Sequence, residues 1–208
     1  MSHDEIHSGV RAYYTDKLVQ HGETPRGVDW NSDEAQQVRF TQILSLCGVD
    51  PKFSLNDIGC GYGALVDRLE AFAGFAGYVG YDIAPKMVTA AQRRYFGRAN
   101  VRFTAVLDEV PVADYTVASG IFSVKGEVPA ERWERYMHDT IAVLAGLSRR
   151  GFAFNCLSGF SDSKRMRADL YYADPYAMFD HCRTRYSRNV ALLHDYGLYE
   201  FTVRVRLS

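Results

Sequence analysis

Little in this chain would staple it, anchor it or give it charge of one sign. Its 208 residues hold only four cysteines, Cys47, Cys60, Cys156 and Cys182, with no CxxC pair among them. That scatter suggests neither a zinc site nor a disulfide framework, and buried thiols in a reducing compartment account for it. Lys and Arg number 24 against 25 Asp and Glu, a net charge of −1. Affinity built on blanketing phosphates has no basis there, so nucleic acid is not an expected partner. No run approaches the ~20 apolar residues of a spanning helix. The opening Met1-Ser2-His3-Asp4-Glu5 is polar and acidic, unlike a secretory leader. Repeats, low-complexity tracts and long linkers are missing too. The expectation is a cytoplasmic protein with no membrane partner.

What is present suffices for a core. Hydrophobic residues make up 47% of the chain, and a chain of this length buries roughly 70% of the surface it exposes unfolded. Residues 1–48 read as helical. Residues 6–20 form a first helix, and residues 21–29, with Gly22, Pro25 and Gly27, form a loop. Asn31 and Glu34 then have the spacing of a capping box. Phe40, Ile43, Leu44 and Cys47 repeat at i, i+3, i+4 and i+7 until Gly48 stops the helix.

From residue 52 the rhythm changes. Short apolar runs at 53–58, 78–81, 101–103, 115–118 and 151–156 alternate with helical periodicity at 64–72, 85–95 and 129–147. In the last helix Trp133, Met137, Ile141 and Leu144 share a face. This alternation predicts βαβ units on a parallel sheet. Asp174-Pro175 is a helix start, with the helix running to about Tyr186. Residues 190–194 and 199–206 flank the turn Asp195-Tyr196-Gly197-Leu198, so they pair antiparallel.

The first strand runs into Asn56-Asp57-Ile58-Gly59-Cys60-Gly61-Tyr62-Gly63-Ala64, and Asp82 closes the second strand. Glycines there allow a sharp turn and close approach of a ligand to the backbone, and a carboxylate at the second position can accept both ribose hydroxyls. Gly59, Gly61 and Ala64 also satisfy the dinucleotide fingerprint, so a nicotinamide cofactor stays in view. Asp57, two residues ahead of the loop, the short chain and the closing hairpin count against it.

These residues resemble class I S-adenosylmethionine-dependent methyltransferases, from about residue 53 to the end. The resemblance implies an α/β, Rossmann-like fold with seven strands in the order 3-2-1-4-5-7-6, the last antiparallel, and helices on both faces. It makes residues 1–48 an N-terminal helical lid and 49–208 the methyltransferase domain of one compact unit. S-adenosylmethionine is then the donor, and no metal is expected, although Asp139 and Asp162 keep that question open. Asp57 and the loop Gly59, Gly61 and Gly63 would line the methionine portion, and Asp82 would hold the ribose. Ile83 and Leu107-Asp108 would border the adenine, and the Ser119-Gly120 backbone would face the methionine amino group. Ser119-Gly120-Ile121-Phe122 stands where amino-methylating nucleic-acid enzymes carry an Asp/Asn-Pro-Pro-aromatic tetrad, which lowers the standing of a nucleic-acid target.

Ligands of open α/β sheets sit beyond the carboxyl ends of the strands. Asn155 at the end of the fifth strand and His194 at the end of the sixth are therefore the candidate catalytic residues, His194 as a base because imidazole titrates near neutrality. Each has a plainer reading. His194 can shape the hairpin turn, and Asn155 can satisfy nearby backbone. His21 is a weaker base candidate. Tyr13, Tyr14 and Trp30 in the lid, Phe122, and Tyr171, Tyr172 and Tyr196 toward the C-terminus are the candidate acceptor-binding residues, with burial under loops as the alternative. Gln37 and Arg39 can reach the donor's carboxylate or lie exposed. Methyl transfer to oxygen or nitrogen of a small molecule is the leading expectation. An RNA or protein methyltransferase and a catalytically silent donor-binding subunit remain alternatives, and oligomeric state is not legible.

Overall fold

The computed structural model describes residues 3–48, 52–70 and 75–207. The expected boundary after residue 48 and the last two residues of the expected helix 64–72 fall outside them. Strand β1 (Ser54–Ile58) lies near the middle of the sheet, paired in parallel with β2 (Gly77–Tyr81) and β4 (Ala113–Ala118). Strand β3 (Val101–Thr104) adds beyond β2, and β5 (Ser148–Ser158) beyond β4. The chain closes with β7 (Val190–Leu193) and β8 (Glu200–Arg206), and β8 inserts antiparallel between β5 and β7.

The order β3-β2-β1-β4-β5-β8-β7 is the expected one. The count differs by one. A two-residue strand β6 (Tyr172–Ala173) pairs in parallel with Leu157 and Ser158 of β5, beyond the point where β4 ends. Two residues are too few to leave an alternating pattern in the sequence.

Two helical layers bury the sheet. On one face α2 (Asp33–Leu44), α3 (Leu65–Glu70) and α4 (Pro85–Arg94) pack Phe40, Ile43, Leu44, Leu69 and Val88 against Leu55, Tyr115 and Val117. On the other, α5 (Ala130–Gly146) presses its Trp133, Met137, Ile141 and Leu144 stripe, and α6 (Pro175–Arg185) its Met178 and Cys182, onto Phe152, Phe154, Phe201 and Val203. Asp174 caps α6 as expected, accepting from the amides of Tyr176 and Ala177. The cap of α2 is a correction: Ser32, not Asn31, accepts from the Ala35 amide at 3.2 Å. Two adjacent residues both suit an N-cap, and the chain uses the second. The loop 21–29 contains a short 3-10 turn (Pro25–Val28).

One crossover is unusually short. Parallel strands are normally joined through a dozen or more residues, most often a helix. Residues 105–112 join β3 to β4 with only a 3-10 turn (Leu107–Glu109). Helix α1 (His3–His21) reaches across that side. Its Ile6 is 2% exposed among α5 residues, and Arg11 Nε donates to the Ile83 carbonyl at 3.0 Å. Val79 and Tyr81 of β2 stay only partly buried there, and this leaves room for a cavity. Among the described residues, no helix is long and apolar enough to cross a membrane.

Candidate active site

The carboxyl ends of β1, β2 and β4 open together where the strand order reverses, the place such sheets bind ligands. A cavity of about 270 Å³ lies there, walled by these strand ends, α1, Trp30, α2 and α5. Asp57, Gly59, Gly61, Asp82, Ile83, Leu107, Ser119 and Gly120 all line it. These are eight of the ten positions named for the donor. Gly63 does not line it, because its α-carbon faces the rings of Tyr95 and Phe103. Asp108 is exposed on the turn from which Leu107 points inward.

The loop's geometry requires glycine where it meets β4. Gly59 has φ 79°, and a Cβ there would overlap the side chain of Ile121. The bend is tied to β2 by the Gly59 and Cys60 amides, which donate to the Tyr81 carbonyl at 2.7 and 3.0 Å. Asp82, 8% exposed, accepts from the amides of Gly61 and Ala84, both at 2.8 Å. Each carboxylate oxygen keeps a lone pair for a ligand. Burial pushes this carboxyl up to about 6, against the pull of those two amides. Asp57, 3% exposed, accepts the Tyr78 hydroxyl at 2.8 Å. Burial pushes it up to about 7; the Tyr78 hydrogen bond opposes this and the charge of Asp82 adds to it. Two buried carboxylates, both costly to ionise, make a wall that favours a cation.

The acceptor-side expectations divide. Tyr14 and Trp30 line the cavity. Tyr13 instead gives its hydroxyl to Asp29 at 2.7 Å. Phe122 is core, 1% exposed and edge-on to Phe154, and its carbonyl accepts the Trp133 indole N–H. Tyr171 packs against the core of the α5–α6 face, Tyr172 accepts the Arg167 amide, and Tyr196 pairs with Thr202 at 3.1 Å. None of these last three reaches the cavity.

The two candidate catalytic residues also lie elsewhere. His194 is exposed beside Phe160 and Phe201 and does not line the cavity, because β7 is the far edge of the sheet. Asn155 is buried with both ends of its amide engaged. Its Oδ1 accepts the Gly120 amide at 2.7 Å and its Nδ2 donates to Ser119 Oγ at 3.1 Å. It fixes the loop after β4. Arg39 is neither exposed nor at the cavity but forms a buried pair with Glu200, while Gln37 and His21 are exposed.

Several lining residues were not foreseen. His7 and Val10 come from the face of α1 that also carries the expected Tyr14, at i, i+3 and i+7. Tyr136, Asp139, Thr140 and Val143 come from α5, one face over from its buried stripe. His7 sits edge-on to Tyr136 with ring centroids 5.6 Å apart. The helical spacing was readable in the sequence, but the meeting of the two faces was not. Among the described residues, no group of three or more His, Cys, Asp or Glu side chains could hold a metal ion.

Known proteins agree with this geometry. Residues 56–146 match a family described as a methyltransferase domain. A provisionally named methyltransferase of Mycobacterium tuberculosis is 54% identical over 157 residues, covering 76% of this chain and 94% of that protein. Among solved structures, magnesium protoporphyrin IX methyltransferase from Synechocystis with bound S-adenosylhomocysteine superposes with a TM-score of 0.66. Its identity is 17%, over 97% of this chain and 99% of that one. The N-methyltransferase NodS from Bradyrhizobium japonicum, also with S-adenosylhomocysteine, gives 0.67 at 15% identity over 95% and 98%. Human N-acetylserotonin methyltransferase with S-adenosylmethionine gives 0.66 at 13% identity over 99% and 60%. At such identities the likeness is one of fold, whereas the mycobacterial relative carries the family, and the nicotinamide reading falls away. The chain belongs to the class I methyltransferases and shares its fold with enzymes solved with S-adenosylmethionine or S-adenosylhomocysteine bound.

Proposed function

We propose that the enzyme methylates an oxygen or nitrogen of a small molecule that is neutral or basic rather than anionic. The observation carrying this reading is the cavity itself. Its donor-side carboxylates stand beside the aromatic rings of Tyr14, Trp30, Tyr81 and Tyr136 in one enclosed space. Asp57, Asp82 and Asp139 are on its wall, and among the described residues no lysine or arginine is. An anionic acceptor would give up its water there with no side-chain cation, only the donor's sulfonium, to offset a cost of several kcal/mol. The structural neighbours named for magnesium protoporphyrin IX and N-acetylserotonin support an acceptor of small-molecule size.

S-adenosylmethionine supplies a methyl group already activated on a sulfonium. The chain's part is to hold and aim. Asp57 meets the donor's ammonium, and Asp82 accepts the ribose hydroxyls while keeping the Gly61 and Ala84 amides. Ile83 and Leu107 cover the adenine, and the Ser119-Gly120 backbone, fixed by Asn155, borders the methionine portion. Orientation contributes about 7–11 kcal/mol, against about 3–5 kcal/mol for a general base worth roughly 10²–10⁴-fold. A base is therefore a refinement, and His7 on the cavity wall is the group placed to take the acceptor's proton. Transfer of a tritiated methyl group to panels of amines, phenols, alcohols, carboxylates, RNA and proteins tests the reading. Label in small neutral or basic compounds is expected. Label confined to carboxylates, RNA or protein would overturn it, as would donor binding with no transfer to any panel.

A further inference from the structure

Trp30 stands at the edge of the cavity beside Gly120. Gly120 has φ 80°, and a Cβ there would overlap the outer edge of the indole. On the indole's face lies Arg39 of α2, its guanidinium carbon 3.9 Å from the ring centroid. The same guanidinium grips Glu200, the first residue of β8, through two hydrogen bonds, Nε to Oε2 at 2.8 Å and Nη2 to Oε1. Arg39 is 6% exposed and Glu200 3%. The antiparallel end of the sheet thus reaches the β4 loop by two routes. One runs from Glu200 through Arg39 and Trp30 to Gly120. The other runs through Asn155, which pairs in register with Thr202 and accepts the Gly120 amide.

A purely structural role explains this arrangement poorly. Desolvation offsets most of the attraction within a buried ion pair, so an apolar pair of the same shape would hold the fold as well or better. Arg39 also leaves Nη1 buried with no partner, a further cost. What apolar residues cannot do is stack a rigid planar cation on an indole while the same fork holds a carboxylate.

We infer that Arg39 and Glu200 are positioning residues that fix Trp30 against Gly120 as a wall of the cavity, and so set how long the donor stays bound. This rests on the donor site described above. The chain's other tryptophan, Trp133, is 0% exposed, so acrylamide quenching of the intact enzyme reads Trp30. The variants are Arg39→Met, Arg39→Lys and Glu200→Gln, and the measurements are quenching in the S-adenosylhomocysteine complex, stopped-flow dissociation of that ligand, and melting temperature.

Arg39→Met is expected to expose Trp30 and speed dissociation about 30-fold, the equivalent of one desolvated cation–π contact, with association unchanged. Arg39→Lys keeps the charge and loses the fork, so it should fail to rescue. Glu200→Gln should shift both readouts the same way by less. Wild-type dissociation and shielding in the folded Arg39 variants, whatever their melting temperatures, would overturn the inference. Should Arg39→Met not fold, unchanged values in Arg39→Lys and Glu200→Gln would do the same. Absence of S-adenosylhomocysteine binding to the unaltered enzyme would instead strike the donor site itself.

Discussion

Lowering the pH from 7.5 to 5.5 should weaken S-adenosylhomocysteine binding about 100-fold, because the site must surrender protons to receive an ammonium. In the free protein burial holds the Asp57 carboxyl at about 7 and that of Asp82 at about 6. The ligand's ammonium stays charged across this range and needs Asp57 ionised, so binding lowers the carboxyl's pKa and releases its proton. The sign follows: affinity is full above the free-state pKa and falls as pH drops through it. For one group the apparent Kd grows as 1 + 10^(pKa − pH), which gives about 25-fold for Asp57 and about fourfold for Asp82 between these pH values. Isothermal titration in buffers of different ionisation enthalpy counts the protons. Asp57→Asn should bind more weakly at pH 7.5 and retain only about a fourfold dependence. A flat profile in the wild type, or an unchanged slope in Asp57→Asn, would refute the assignment of the ammonium to Asp57.

Asp82→Asn should cost about 100-fold in affinity at pH 7.5, two hydrogen bonds to a charged acceptor at about 1.5 kcal/mol each; an unaltered Kd by titration would exclude Asp82 as the ribose ligand. With any acceptor that is turned over, His7→Ala should lower kcat by about 100-fold if its imidazole takes the proton, while exposed His194→Ala should leave kcat unchanged. Equal effects of the two would show the placement to be wrong. Ser32→Ala should destabilise the fold by about 1 kcal/mol in urea titrations and Asn31→Ala should not, and the reverse would return the cap to Asn31.

The glycine bend and the carboxylate at the cavity were legible because their chemistry forces residue types at short range. A bend beginning at Gly59 and a carboxylate ending the next strand at Asp82 declare themselves within some twenty positions, and strand β1 with its following helix gives them context. The hairpin of β7 and β8 was legible for the same reason, since a turn-length segment leaves only antiparallel pairing. The helical walls of the cavity were less legible, because lining a cavity depends on which helix faces meet. Tyr13 and Tyr14 are adjacent in sequence, yet only Tyr14 shares a face with His7 and Val10. Asn155 and His194 were picked by the rule that strand ends open on the site, but β5 runs on to Ser158, and the rule does not say which strands lie near the reversal point. Glu200 is 161 positions from Arg39, and no local pattern joins them.

The central claim is that the cavity holds the donor between Asp57 and Asp82, and a crystal structure with S-adenosylhomocysteine measures it most directly. The ribose hydroxyls should lie within hydrogen-bonding distance of the Asp82 carboxylate, with the ammonium toward Asp57 and the sulfur beside Gly120. A nucleoside bound elsewhere, or an Asp82 still holding only the Gly61 and Ala84 amides, would contradict it.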